Sequence, residues 1–145
     1  QAVERIYIKF IKDIFDSNSI TYEKAPSQRP YDFREIGGIG GIKLEVKMTT
    51  SNIIMCNNTL PTSSTYYLII YLGTTKYPPQ LIFVRGDRLV VGSEEWIFKY
   101  KELIESLINT YALKESREIY GGSVTVRPRP SYSILLKETG LLIEY

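Results

Sequence analysis

The residues of this chain whose types and spacing best suit chemistry are an aspartate, a glutamate and a lysine in its first third. Asp32 follows Pro30 in an extended stretch, and Glu45 and Lys47 lie two positions apart in the apolar-alternating stretch from Ile42 to Met48. Because side chains at i and i+2 of a strand point to the same face, Glu45 and Lys47 project together. Two carboxylates and one ammonium at a common point are what a hard divalent cation and a water nucleophile require.

A glycine run predicts how the aspartate reaches the other two residues. A hairpin turning through Gly37 to Gly41 brings Asp32 alongside Glu45 and Lys47, since glycine supplies positive φ without steric cost. A phosphate-cradling loop is the alternative, but it needs a helix after the glycines, and the residues that follow have a strand pattern. The sequence therefore predicts a hairpin. The other open interpretation is a solvated hairpin face with a surface ion pair.

The order Pro30-Tyr31-Asp32, a hairpin-length spacer and then Glu45-Val46-Lys47 resembles the signature of the PD-(D/E)XK nuclease superfamily. One departure is that Tyr31 separates the proline from the aspartate. The resemblance covers about the first half of the chain. It implies a restriction-endonuclease-like α/β (α+β) fold, with a mixed central β-sheet flanked by helices.

The resemblance also implies a role for each residue of this site. Asp32 and Glu45 would ligate Mg²⁺ together with the Val46 carbonyl, and Lys47 would orient or deprotonate the attacking water. In the resembling nucleases a glutamate of the first helix sometimes reaches the metal, which makes Glu4 a further candidate ligand. The other interpretation of Glu4 is a solvated side chain that favours the helix N-terminus.

Composition excludes several classes of hydrolase. The chain contains no histidine, which removes Ser-His-Asp and Cys-His catalysis and the usual zinc hydrolases. Its 145 residues, 43% of them hydrophobic, predict a single domain over residues 1 to 145 with a substantial core. The single Cys56 cannot form an internal disulfide, and no signal peptide or transmembrane run is visible, so we expect a cytoplasmic protein without membrane contact.

Periodicity predicts the elements around the hairpin. Residues 2 to 15 have the apolar stripe of an amphipathic helix that packs on the sheet: Val3, Ile6, Tyr7, Phe10, Ile11 and Ile14. A polar turn, Asp16 to Ser19, ends this helix, and Ile20 to Glu23 is a candidate short strand. The run from Tyr66 to Leu72 is apolar on both faces, which predicts a central strand.

The second half of the chain predicts a further hairpin and a long helix. The hairpin joins residues 81 to 85 to residues 89 to 91 through a turn at Gly86-Asp87, and the helix runs from residue 94 to about residue 115. The core-facing stripe of this helix is Trp96, Tyr100, Leu103, Ile104, Leu107, Ile108 and Tyr111. A strand is expected at residues 123 to 126.

Two groups of residues are candidates for DNA binding. Asn52, Asn57 and Asn58 follow the Glu-x-Lys strand, where their amides suit base edges, although amides are equally ordinary in turns. Arg127 and Arg129 each precede a proline, which holds them on a stiff extended segment. Residues 117 to 137 carry four cations and one anion, a net charge of +3, against +2 for the whole chain. The alternative is an edge strand whose charges resist aggregation.

Within the superfamily, the small size, the intact triad and the arginine segment look most like a type II restriction endonuclease. This implies a Mg²⁺-dependent endodeoxyribonuclease that cuts double-stranded DNA at a specific short sequence and acts as a homodimer. One alternative is a structure-specific or repair nuclease, such as a Holliday-junction resolvase-like enzyme. Others are a non-catalytic nucleic-acid or protein-binding module on the same fold, and a purely structural interaction domain.

Overall fold

A computed structural model describes residues 2–27, 29–56, 61–89, 94–107, 131–140 and 142–143. These residues form helices and strands in the following order: α1 (Ala2–Ser17), β1 (Glu23–Lys24), β2 (Phe33–Ile36), β3 (Ile42–Thr49), β4 (Ile53–Met55), β5 (Thr65–Tyr71), β6 (Gln80–Arg85), α2 (Gly86–Leu89), α3 (Glu94–Leu107), β7 (Ser131–Ser133) and β8 (Leu142–Ile143). None of the helices in this part of the chain has the length and apolar character needed to cross a bilayer.

The centre of the fold is a six-stranded mixed sheet in the order β1-β2-β3-β5-β6-β8. Strand β3 runs parallel to β5, and β6 runs parallel to β8, whereas the other neighbours are antiparallel. Strands β4 and β7 form a separate antiparallel pair. The predicted mixed α/β fold with a mixed central sheet is confirmed, and β5 is the central strand that its apolar sequence indicated.

Helix α1 packs on one face of the sheet through only part of its apolar surface. Its sheet-facing residues join a core that contains Phe33, Leu44, Val46 and Ile70: Tyr7, Ile8, Ile11 and Phe15. The predicted stripe is correct for Tyr7 and Ile11 and wrong for four others, which stay exposed: Val3, Ile6, Phe10 and Ile14. The physical reason is that apolar residues cover more than half of the helix circumference, and a flat sheet contacts only one side of it.

The predicted polar turn ends this helix. The Asn18 side chain donates a hydrogen bond to the Ile14 carbonyl at 2.7 Å, and Ile20 N–H donates to the Phe15 carbonyl at 2.9 Å. Ser19 adopts a φ of 54°, the left-handed conformation that commonly follows a helix C-terminus. Only Glu23 and Lys24 of the next segment pair as a strand, so the strand expected from residue 20 is shorter than predicted.

The opposite face of the sheet is covered by the β4–β7 pair and the chain that follows β7. Ile54, Cys56 and Ile134 pack there against the central strands. No described residue of α3 belongs to either hydrophobic core, and Trp96 and Leu103 are 61% and 70% exposed, so the predicted core-facing stripe is wrong for them. Residues 108 to 115 of that helix and the expected strand at 123 to 126 lie outside the described residues.

The first strand of the hairpin predicted for residues 81 to 91 forms as part of β6, but the predicted turn at Gly86-Asp87 is wrong, and residues 90 and 91 lie outside the described residues. Residues Gly86–Leu89 form the short helix α2, and β6 pairs with β5 and β8. Gly86 is buried against the backbone of Thr62, and Leu89 packs against the second core. Glycine is therefore required at residue 86 because the Thr62 backbone approaches it closely. The sequence alone does not distinguish this requirement from that of a hairpin turn, which also favours glycine.

The glycine hairpin between β2 and β3 forms as predicted. Gly37, Gly38 and Gly40 have φ values of 89°, 120° and 76°. Glu35 also adopts a positive φ of 51°, and its carboxylate accepts a hydrogen bond from Gly40 N–H at 2.7 Å. Glu35 therefore holds the turn and is not part of the carboxylate pair.

Gly41→Ala is expected to destabilise the protein by about 2 kcal/mol or more, because a Cβ there would lie 2.2 Å from the Ile36 carbonyl oxygen. The matched control is Gly40→Ala, which meets no atom within 4 Å and bears only the strain of its φ of 76°, a cost of about 1 to 2 kcal/mol. Urea unfolding of the two variants checks this difference. Equal losses would contradict the role assigned to the close contact.

Candidate active site

Strand β3 presents its two chemically active side chains on one face. Its alternate residues Leu44 and Val46 point into the core beneath α1, so Glu45 and Lys47 point to the other face. Lys47 Nζ lies 2.8 Å from Glu45 Oε1, and the two side chains are 17% and 15% exposed. This pair is therefore mostly shielded from water, unlike an ordinary surface ion pair.

Asp32 lies at the point where β2 stops pairing with β3. Its N–H donates to the Leu44 carbonyl at 2.8 Å, and its Oδ2 accepts from Val46 N–H at 2.9 Å. The carboxylate thus takes the place of a strand neighbour for Val46. Because the N–H and C=O of one strand residue point to the same side, the Val46 carbonyl faces the side on which Asp32 lies.

The two carboxylates of the site are electrostatically coupled. Burial, followed by the negative charge of Asp32, raises the pKa of Glu45 to about 7, against an opposing effect of Lys47. The protonated form of Glu45 is within hydrogen-bonding reach of Asp32. Burial and the neighbouring carboxylate therefore disfavour the ionised form of Glu45, although a lysine lies beside each of the two carboxylates. Two carboxylates and a backbone carbonyl are oxygen donors of the kind that a hard divalent cation takes.

Lys24 is a neighbour of the site that sequence patterns did not indicate. Its Nζ lies 3.6 Å from Asp32 Oδ1, donates to the Asp32 carbonyl at 3.2 Å and lies 5.0 Å from the centroid of the Phe33 ring. The pairing of β1 with β2 brings Lys24 opposite Phe33. A two-residue strand carries no periodicity, so only the register seen in the folded chain reveals this contact.

A cavity of about 750 Å³ opens beside the ion pair. Glu45 and Lys47 lie on its wall with Glu4 and Tyr7 of α1, and Met55 of β4 lines it from the other side. Within the described ranges, no three His, Cys, Asp or Glu side chains are grouped closely enough to form a metal site by themselves. The role of Glu4 as a ligand therefore stays a prediction, although Glu4 shares the cavity with Glu45.

Two buried weak acids, Tyr67 and Cys56, lie near Glu45. Tyr67 is the register partner of Glu45 on β5, and it is hydrogen-bonded to Cys56. Burial raises the pKa of both Tyr67 and Cys56, and Cys56 is only 2% exposed. Both groups therefore stay neutral, which makes Cys56 a structural residue and adds no counter-charge for Glu45.

Asn52 is the candidate DNA-binding residue that lies within the described ranges, and it does not line this cavity. Asn52 lies in a different cleft of about 470 Å³ with Thr50 and Lys76, and its carbonyl accepts a hydrogen bond from Ile134 N–H at 2.7 Å. The other candidates, Asn57, Asn58, Arg127 and Arg129, lie outside the described residues.

The fold and the site together define a mixed α/β domain with a carboxylate–lysine site at the open end of a strand pair. No model of a protein family, no curated protein and no solved structure matches this chain. A functional assignment therefore depends on the geometry and chemistry of the chain's own residues.

Proposed function

We propose that this protein is a Mg²⁺-dependent endodeoxyribonuclease of the PD-(D/E)XK type, which hydrolyses phosphodiester bonds of double-stranded DNA at a short specific sequence in the cytoplasm. The observation that carries the proposal is the convergence of three residues where β2 leaves β3. Asp32 binds the backbone of Val46 there, and Glu45 and Lys47 form a shielded pair. The proposal also draws on the cavity of about 750 Å³ that gives a phosphate access to this pair.

The proposed chemistry assigns a separate task to each group. Asp32, Glu45 and the Val46 carbonyl hold Mg²⁺, which supplies Lewis-acid polarisation of a phosphoryl oxygen when bound. Asp32 Oδ2 accepts from Val46 N–H, so Oδ1, which lies 3.6 Å from Lys24 Nζ, is the oxygen that would exchange this lysine for a metal cation. Lys47 orients the attacking water and stabilises the negative charge that develops on the phosphate. The expected products carry a 5′-phosphate and a 3′-hydroxyl.

The test is incubation of the full chain with long unmethylated duplex DNA, with Mg²⁺ or with EDTA. Discrete fragments that require Mg²⁺ support a site-specific endonuclease. Cleavage restricted to branched DNA would instead indicate a resolvase-like enzyme. Intact linear and branched DNA in every reaction would overturn the catalytic proposal and leave a binding module.

Mg²⁺ is expected to raise the melting temperature of the protein. At ten times its dissociation constant a ligand adds about 1.4 kcal/mol of stability, which for a chain of this size is a shift of about 4 °C. Asp32→Asn should abolish the shift because it removes a proposed ligand. Asp13→Asn is the matched control, since Asp13 is paired with Lys9 on the surface, 60% exposed. An equal Mg²⁺ shift in both variants would contradict the ligand assignment.

The proposed enzyme acts as a homodimer through an apolar ridge on α1. The ridge consists of the four exposed residues Val3, Ile6, Phe10 and Ile14. A second copy packed antiparallel across a two-fold axis would cover the ridge of both copies.

Phe10→Ser is expected to weaken this dimer by at least tenfold, since Phe10 is the central residue of the ridge. Ile39→Ser is the matched control, because Ile39 is a fully exposed apolar residue at the tip of the glycine hairpin. Sedimentation equilibrium of both variants and the parent protein measures the dissociation constant. A monomeric parent protein at high concentration, or equal weakening by both variants, would exclude the ridge as the dimer contact.

A further inference from the structure

A second groove, distinct from the cavity beside Lys47, runs between α1 and the strand β1. It has a volume of about 530 Å³, and we call it the basic groove. Its charged residues are four cations, Arg5, Lys9, Lys12 and Lys24, and two carboxylates, Glu4 and Asp32. The net charge of +2 in this one groove equals that of the entire chain, so cationic charge is concentrated here.

Two of these cations are not neutralised within the described part of the protein. Lys9 is paired with Asp13 at 2.9 Å and Lys24 with Asp32 at 3.6 Å. Arg5 and Lys12 make no ion pair with any described residue. Like charges held together without counter-ions favour an anionic ligand that spans them.

The spacing of the unpaired cations suits a ligand with several negative charges. Arg5 and Lys12 are seven residues apart on α1, a rise of about 10.5 Å, so a ligand that meets both of them carries charge at more than one point. Lys9 lies between them on the same side of the helix. A small monoanion would engage one of the unpaired cations, whereas successive phosphates of a DNA strand would engage both.

The groove is also continuous with the proposed catalytic residues. Asp32 lines it, and Glu4 lies on the wall of both the groove and the cavity that contains Glu45 and Lys47. A strand that follows α1 from Lys12 to Arg5 is therefore delivered to the carboxylate pair. The groove faces away from the apolar ridge of α1, so the two surfaces do not compete.

We propose that the basic groove binds the phosphate backbone of the DNA strand that is presented to Asp32, Glu45 and Lys47, with Arg5 and Lys12 as the principal phosphate contacts. This inference rests on the proposed function, because it names where the substrate of that site lies. It locates backbone contacts in the first helix, whereas base readout requires other residues.

The experiment measures binding of a labelled DNA duplex of about 20 base pairs to the full chain by fluorescence anisotropy over a range of salt concentrations. Ca²⁺ replaces Mg²⁺ so that carboxylate charge is neutralised. The double variant Arg5→Gln/Lys12→Gln removes two phosphate contacts. We expect its affinity to fall at least tenfold and the slope of log K against log salt to become shallower by about 1.8, at 0.9 for each contact.

The matched control is Arg88→Gln/Lys101→Gln, which removes the same two residue types from exposed positions on α2 and α3. Its affinity is expected to change less than threefold. Wild-type affinity and salt slope in the groove variant, or equal losses in both variants, would overturn the groove assignment. Circular dichroism of each variant confirms that it is folded.

Cleavage by the parent protein, measured in parallel, separates the two proposals. If the parent protein cleaves DNA and the groove variant binds DNA as tightly as the parent, the groove assignment is wrong and the nuclease function is retained. Groove-dependent binding without cleavage on any substrate would reject hydrolysis and retain the groove as a DNA-binding surface.

Discussion

Replacing Lys47 with alanine is expected to reduce Mg²⁺-dependent DNA cleavage by about 10³-fold or more. Loss of one charge-stabilising donor costs about 10²- to 10³-fold, and misplacement of a reacting group by about 1 Å costs about 10²-fold. Lys47 is proposed both to stabilise the developing charge and to orient the attacking water. Its ammonium is 2.8 Å from Glu45 and opens onto the cavity, so it is the cation placed to meet a phosphate there.

Lys43→Ala is the matched control for this loss. Lys43 lies on the same strand and the same face, four residues earlier, and its Nζ lies 5.3 Å from the centroid of the Tyr31 ring instead of against a carboxylate. Single-turnover cleavage under saturating Mg²⁺ should leave the Lys43 variant within about threefold of the parent protein. A Lys47 variant that cuts at the parent rate, or a Lys43 variant that is equally impaired, would exclude the assigned role.

The second large effect is expected in the stability of the metal-free protein as a function of pH. Glu45 has a pKa of about 7 in the folded protein, against 4.5 in an unperturbed carboxyl group. The folded state therefore holds this proton more tightly than the unfolded state. The stabilisation that follows is fully present below pH 4.5 and is lost as the pH rises through 7. Between pH 5 and pH 8 the loss is about 2 kcal/mol.

Glu45→Gln isolates this contribution because glutamine has no proton to release. The free energy of unfolding of the variant, minus that of the parent protein, should increase by about 2 kcal/mol from pH 5 to pH 8 in EDTA. Urea unfolding at several pH values measures the difference. Asp87→Asn is the control: bonds to Arg85 lower the pKa of Asp87 from its usual 3.8, so its carboxylate is ionised in both states above pH 5 and the difference between this variant and the parent protein should not vary from pH 5 to pH 8. A difference between Glu45→Gln and parent that does not vary with pH would contradict the coupling of Glu45 to burial and to Asp32.

The local geometry of the site could be predicted from the sequence because it depends on residues that are close together in the chain. Strand alternation is sufficient to place Glu45 and Lys47 together, and a glycine-rich turn is sufficient to bring Asp32 beside them. The hydrogen bond from Val46 N–H to Asp32 was not predictable in the same way. It requires β2 to end at one particular residue, and strand ends depend on the competition between backbone and side-chain partners.

The incorrect sequence predictions have a different cause. Periodicity identifies the apolar face of a helix or strand but not which part of the protein packs against that face. Phe10 and Ile11 both belong to the apolar pattern of α1, yet the Phe10 side chain is 59% exposed and the Ile11 side chain is 5% exposed. The sequence predicts a turn at Gly86, but the glycine is required by a close contact with the backbone of Thr62, which is distant in sequence. Lys24 was missed for the same reason, since its contact with Asp32 depends on the register of β1.

The pairing of β4 with β7 bears on when the site becomes complete during synthesis of the chain. The hairpin that unites Asp32 with Glu45 closes a short loop, so it forms early and at small entropic cost. The wall of the cavity, in contrast, joins Met55 to Ser131, about 75 residues later in the chain. A ribosome must therefore release the chain as far as β7 before this wall is in place, and a shorter nascent chain carries the acidic pair without the cavity in which it would act.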